Sequence, residues 1–220
     1  SGASSDSSST STDSSSETSS NTELDTISTP SLTVSSLPSS FTVLSPHITK
    51  YSEVFGIHLF ATPDVTNQKI IHAANILAQY LDNNEDGTVD NALVLTQLRH
   101  RNASVFITPT EAAFESLEDT LAPLAENLSI SAFQTLFESE IAPSSGFDAS
   151  LEELLHLITE NGYAYAYSNI FGERTGTSIA NAMDIARGGY FKKVPNDYPA
   201  DAWYTYNDES CDYSCQITEY

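Results

Sequence analysis

The sequence predicts a helix-rich α+β fold: a single globular domain with a small β-sheet, preceded by a disordered Ser/Thr-rich tail. Three observations carry that expectation. Three quarters of Ser1–Ser20 is Ser or Thr, with no aromatic, no Leu, Ile or Val, and no Lys or Arg. Such a stretch buries too little apolar surface to offset chain entropy. Two short stretches, Val54–Ala61 and Ala103–Thr108, are rich in aromatic and β-branched residues, as strands require. Several longer stretches repeat apolar residues at helical spacing. Apolar residues return at Leu24, Ile27, Leu32 and Val34, interrupted by Pro30 and Pro38. The division read from this is a linker over 1–40 and a domain over 41–220.

Within the domain, Val54–Ala61 reads as one buried strand. Thr66–Leu81 reads as a helix, with Ile70, Ala74, Leu77 and Leu81 on its buried side. A polar loop, Asp82–Asp90, leads to a second helix holding Leu93, Leu95 and Leu98. After the strand Ala103–Thr108, Thr110 opens a helix with Phe114, Leu117 and Leu121 inward. Ser131–Ile141 is expected to be helical. The next helix, Leu151–Thr159, is expected to stop at Asn161-Gly162, a C-terminal signal. Ser178–Arg187 forms another, stopped by Gly188-Gly189. Tyr190–Tyr213 is an aromatic-rich loop. Gln216–Tyr220 resembles a helix starting without room to finish, which suggests a natural chain continuing past Tyr220.

Charge narrows the function. Thirty acidic residues against eight Lys and Arg give a net charge of −22. Nucleic acid is excluded as a partner, because its binding needs a basic footprint, and anionic membrane surfaces are disfavoured on the same ground. No apolar run approaches the roughly 20 residues of a membrane helix. The first residue is Ser1, so an export signal removed upstream is expected. Ser-Gly-Ala-Ser-Ser-Asp followed by a Ser-rich tether resembles the region after the lipidated cysteine of bacterial lipoproteins. That cysteine is absent here, and a plain secreted protein is an equal reading. Cys211 and Cys215 are the only cysteines; in an exported protein a small-loop disulfide is the favoured state, with free thiols the alternative. Asn102-Ala-Ser and Asn127-Leu-Ser are glycosylation acceptors only in a eukaryotic source.

Asp82-Asn-Asn-Glu-Asp-Gly-Thr-Val-Asp90 resembles the calcium loop of EF-hands and dockerins. Asp82, Asn84 and Asp86 would supply oxygens at loop positions one, three and five, and Thr88 its backbone carbonyl. Gly87 stands at the sharp turn and Asp90 at position nine. Leu93 replaces the bidentate acid of position twelve, so weak calcium affinity is implied. The competing reading is an ordinary polar connection between helices.

Leu151-Glu-Glu-Leu-Leu-His156 resembles the His-Glu-x-x-His helix of zincin metallopeptidases, with Glu152 in place of the first histidine. The resemblance implies Glu152 and His156 as ligands to zinc or another transition metal and Glu153 as general base. Carboxylates do bind zinc. Asp184 and Glu219 are the candidates for a third ligand, with a loop histidine or tyrosine as the alternative. A purely structural reading competes: Ser150 and Glu153 as a capping box, Leu151, Leu154, Leu155 and Ile158 as the buried stripe, and Glu152–His156 as a surface pair. His58 and His72 read as core or boundary histidines. The aromatics of Tyr190–Tyr213 read as packing, or as a platform for sugars or peptides. Two functions follow: an exported metal-dependent hydrolase with calcium as a clamp, or a non-catalytic, calcium-stabilised surface module binding a protein or glycan.

Overall fold

The structure, a computed structural model, describes residues 32–220; the disordered tail expected over 1–40 lies outside the described residues up to position 31. The fold is a single α+β domain. Its five-stranded sheet has the order β1-β2-β3-β4-β5: β1 (Ser35–Ser36), β2 (Lys50–Val54), β3 (Ile57–Ala61), β4 (Ser104–Thr108) and β5 (Phe133–Phe137). The first three strands pair antiparallel, while β3–β4 and β4–β5 pair parallel. Parallel neighbours need crossover connections. These are α1 (Asn67–Leu81) with α2 (Ala92–His100), and then α3 (Glu111–Asn127). Residues 32–40 belong to the domain rather than the linker, because β1 pairs with β2 and Leu32, Val34 and Leu37 pack on the core.

Alternation along the strands divides the core between the two faces of the sheet. Ile57, Leu59, Ala61, Val105, Ile107 and Leu136 meet α1, α2 and α4 (Ala149–Ile158) on one face. Tyr51, Phe60 and Phe106 meet Leu121 and Ala125 of α3 on the other. His58 lies on that second face, bonded through Nδ1 to the Tyr51 hydroxyl at 2.8 Å and ringed by Phe41 and Phe60. Burial lowers its pKa, and it is a packed core histidine.

Three expected elements differ, each for a local reason. Val54–Ala61 is not one strand. Val54 pairs with Ile57 across a two-residue turn, and Phe55 and Gly56 both have positive φ, 51° and 83°, the conformation a tight hairpin needs. Ser131–Ile141 is not an α-helix: Phe133–Phe137 joins the sheet at its edge, turning Leu136 to the α4 side, and only Glu138–Glu140 forms a 3-10 turn. Backbone pairing with β4 outweighs helix propensity there. The helix after Ala149 does not stop at Asn161-Gly162. It continues through a π-helical turn, Thr159–Tyr163, into α5 (Ala164–Ala166). Gly162 serves close packing rather than termination, since a Cβ there would stand 2.7 Å from Val94 Cγ1.

The start of α4 is also set differently. Its N-cap is Asp148, not Ser150. The Asp148 carboxylate accepts the Ser150 and Ala142 amides at 3.1 Å and the hydroxyl of the buried Ser150. It also pairs with His72 Nε2 of α1 at 2.7 Å, which places His72 as a boundary residue. Tyr80 adds a second tie, donating its hydroxyl to the Leu151 carbonyl at 2.8 Å. The remaining helices, α6 (Ser178–Ala186) and α7 (Tyr213–Thr218), form a satellite cluster built on Ala180, Met183 and Ile217. Among the described residues no helix is long and apolar enough to cross a membrane.

Burial alone would raise the Asp148 carboxyl, but hydrogen bonds from Ser150, Ala142 and His72 outweigh it and hold the pKa below the ordinary value. A depressed carboxyl contributes stability above its unfolded pKa and loses it as pH falls through the folded one. Asp148→Ala is therefore expected to cost about 1–2 kcal/mol at neutral pH, a drop of roughly 4 °C in melting temperature for a domain of this size. The difference between variant and parent shrinks in strong acid; thermal denaturation across pH checks both.

Candidate metal centre

Helix α4 presents four kinds of surface in turn. Leu154, Leu157 and Ile158 are buried against the sheet. Leu151 and Leu155, expected in that stripe, are instead 40% and 44% exposed. Beside them run Glu152 and His156, one turn apart, and beyond those Glu153. The helix is pinned at its start by Asp148, so these rows have a fixed direction relative to α7.

Helix α7 arrives over the outer side of α4 and is held by several bonds. Asp212 caps it, accepting the Cys215 amide at 3.1 Å. Cys211 and Cys215 form the expected disulfide. Arg187 of the α6 terminus, fully buried, donates to the Gln216 side chain and, at 2.6 Å, to Asp184. Asp184 also accepts the Tyr213 hydroxyl at 2.9 Å. Thr218 donates to Glu173 at 2.7 Å, and Ser214 to the same carboxylate at 3.3 Å.

That docking brings Glu219, the residue after α7, to Glu152 and His156. One ligand atom of each lies within 4.8 Å of the other two. Among the described residues this is the group of His, Cys, Asp or Glu that converges so closely. Donors on a tetrahedral zinc stand roughly 3.4 Å apart, given bonds of about 2.1 Å. The three ligand atoms, within 4.8 Å of one another, stand wider than that spacing, with Glu152 exposed and the others half-buried. The set of one imidazole and two carboxylates suits zinc and also harder divalent ions. Of the two third-ligand candidates, Glu219 is in place. Asp184 is not, because Arg187 and Tyr213 occupy its carboxylate.

Two cavities meet at this trio. One, of about 510 Å³, is walled by Phe147, Leu151, Leu155, Phe171 and Ile179. The other, of about 520 Å³, is acidic, with Glu153, Glu160 and Glu173 around it. Glu152, His156, Glu173, Thr218 and Glu219 line both. Burial raises the Glu153 pKa, moderated by His156, whose Nδ1 lies 3.9 Å away, and reinforced by Glu152 and Glu219. Burial likewise raises Glu173, against the hydrogen bond from Thr218. Tyr206 lines the acidic cavity, and burial followed by the Glu219 charge pushes its phenol up. Glu173 is a site residue that the sequence does not single out, and Tyr206, read there only as one of the loop aromatics, joins the cavity beside it. Each sits in an irregular loop, and only the fold brings it to α4.

The Asp82–Asp90 loop has the expected turn, with Gly87 at φ 86°. Asp82 is buried and accepts the Gly87 amide at 2.7 Å and the Asp86 amide at 3.2 Å. Asn84 Oδ1 accepts the same Asp86 amide, Asp86 accepts the Thr88 amide at 2.8 Å, and Asp90 accepts the Asn83 amide at 2.8 Å. Bonds from the Thr88 amide and the Asn84 side chain hold the Asp86 carboxyl below the ordinary range. Leu93, at the twelfth position, is 58% exposed on α2. In the aromatic loop, Phe191 and Tyr213 stack on the Arg187 guanidinium, each 5.6 Å from it, and Tyr198 bonds the Tyr206 backbone. Trp203 is exposed.

No protein-family model, curated protein or solved structure matches this chain.

An acid whose folded pKa is raised penalises folding above that pKa and not below its unfolded value. Glu153→Gln is accordingly expected to raise the melting temperature at neutral pH in the presence of chelator. The gain should vanish below the usual carboxylate range. A parallel scan of parent and variant from neutral to acid pH reads this directly.

Proposed function

We propose that this protein is a metal-dependent hydrolase of peptide-like bonds, with Glu152, His156 and Glu219 as ligands and Glu153 as general base. The observation that carries the reading is the convergence of Glu219, from the far end of the domain, on the Glu152–His156 turn of α4. Three protein ligands leave a coordination position for water, the arrangement of catalytic rather than structural zinc sites. A divalent ion there would lower the pKa of that water and polarise a substrate carbonyl. Glu153, beside the ligand row, would accept the proton from water and return it to the leaving amine. Its raised pKa makes it a stronger base than an exposed carboxylate. Tyr206, held protonated, directs its hydroxyl hydrogen bond to Glu219 in the same cavity.

We further propose calcium at Asp82, Asn84, Asp86, Thr88 and Asp90 as a clamp between α1 and α2. The Asp/Asn pattern, the αL glycine and the flanking helices support it. An exported setting, whether freely secreted or lipid-anchored, is proposed on the disulfide, because such bonds persist in oxidising compartments.

Metal analysis of protein purified without chelator should give one transition-metal ion per chain, lost in His156→Ala and in Glu219→Ala. With metal bound, Glu153→Gln should retain the ion yet lower peptide hydrolysis by about 10²–10⁴-fold. Calcium as the only ion, with no hydrolysis of any peptide, would overturn the reading in favour of the non-catalytic surface module binding a protein or glycan.

Calcium at a hundredfold excess over its Kd should add about 2.7 kcal/mol to stability. The melting temperature is expected to rise with calcium in the parent and to be calcium-independent in Asp82→Asn with Asp86→Asn.

A further inference from the structure

The exposed leucines of α4 need an account. Leu151 and Leu155 form one i,i+4 row and Glu152 and His156 the next; Glu153 of α4 and Glu160 of the π-helical turn that follows it line the acidic cavity beyond. Ligand candidates thus lie between an apolar side and an anionic side. The cavities repeat the division. Phe147, Phe171 and Ile179 extend the leucine side, and of these Phe147 is 65% exposed. Glu173 extends the glutamate side, and among the described residues lining either cavity there is no Lys or Arg.

Electrostatics select the occupant. Glu152, Glu153, Glu160, Glu173 and Glu219 bring five carboxylates to the junction, more than the two charges of a divalent ion can neutralise. The cleft therefore stays negative with a metal in place. Low-dielectric walls such as Leu155 and Phe171 focus that field. An anionic substrate is repelled. A cationic side chain replaces carboxylate–carboxylate repulsion with attraction, while a bulky apolar neighbour covers the leucine row at about 25 cal/mol per Å² of apolar surface removed from water.

We infer that the cleft takes a polypeptide segment in which a bulky apolar residue adjoins a lysine or arginine, the apolar group over Leu151 and Leu155 and the cation toward Glu160 and Glu173. The inference rests on the hydrolase reading for the placement of the scissile bond between the two rows, but the binding preference itself does not require a metal.

The test measures fluorescence anisotropy of the full chain, with and without zinc, against three labelled peptides of equal length. They carry a central Lys-Phe, Glu-Phe or Lys-Ser pair. The Lys-Phe peptide is expected to bind at least about tenfold more tightly than either other, with the Lys-over-Glu preference weakening at high salt. Glu160→Gln should reduce that preference, and Leu155→Ser should reduce the preference for Phe over Ser. Glu118→Gln with Glu126→Gln, on α3 across the sheet, removes two charges elsewhere and should change neither. Equal binding of the Glu-Phe peptide overturns the inference. So does an α3 double variant as effective as Glu160→Gln, since the preference would then reflect only overall charge. The two readings fail separately. Cleavage without discrimination sinks the substrate assignment alone, while discrimination without metal binding or cleavage sinks the hydrolase alone.

Discussion

Arg187 carries a guanidinium into a place with no exposure to water. A charge so placed is tolerated only when it is paired and hydrogen-bonded, and stripping one partner from such a pair costs roughly 3–5 kcal/mol. Its partners come from two elements: Asp184 from its own helix, and Gln216 from α7, with Phe191 and Tyr213 stacked on the plane. The Gln216 side chain turns back to the carbonyls of Cys211 and Asp212 at 3.4 and 3.0 Å. A six-residue helix has little stability of its own. Here a buried ion network and a disulfide determine where it lies. Glu219 follows directly, so the position of one ligand candidate is inherited from a charge pair that never touches the cleft.

The other half of the centre has an equally indirect support. Helix α4 is registered by Asp148, which collects amides, a hydroxyl and the His72 ring at one carboxylate. His72 belongs to α1, and α1 runs into the Asp82 loop. The Asp82–Asp90 loop, α1 and the Asp148 N-cap thus form a continuous chain of contacts to Glu152 and His156. Against this rigid frame the cleft gathers carboxylates whose mutual repulsion opposes folding. Burial raises the Glu153 and Glu173 pKa values, and neighbouring carboxylates add to the shift. Accumulating like charge where no structural need calls for it is the pattern expected of a binding or catalytic site, which trades stability for chemistry.

Several features were legible in residue order. Helical spacing identified α1, α2, α3, α4 and α6, and β-favouring composition identified β3 and β4, because amphipathic period is a local property. The cysteine pair was legible as a small-loop disulfide only on the expectation of an exported protein, and the fold brings the two sulfurs together. Glu152 and His156 were legible as a pair because one helical turn aligns them. Glu219 could be named as a candidate but not chosen over Asp184: the i,i+3 spacing of Asp184 and Arg187 permits their pairing, but that Glu219 faces Glu152 and His156 depends on where α7 docks.

What residue order left open was decided by contacts made across the fold. Phe133–Phe137 became a strand because β4 offered an unpaired edge. Gly162 passed through a helix because Val94 and Leu98 leave no room for a side chain. Leu151 and Leu155 stayed exposed because the sheet accepts only the Leu154, Leu157 and Ile158 side of α4. Local sequence specifies which faces exist on each element, since propensity and period act over a few residues. Which face meets which partner depends on burial and charge pairing between residues far apart in the chain, and that is settled only when the whole domain packs.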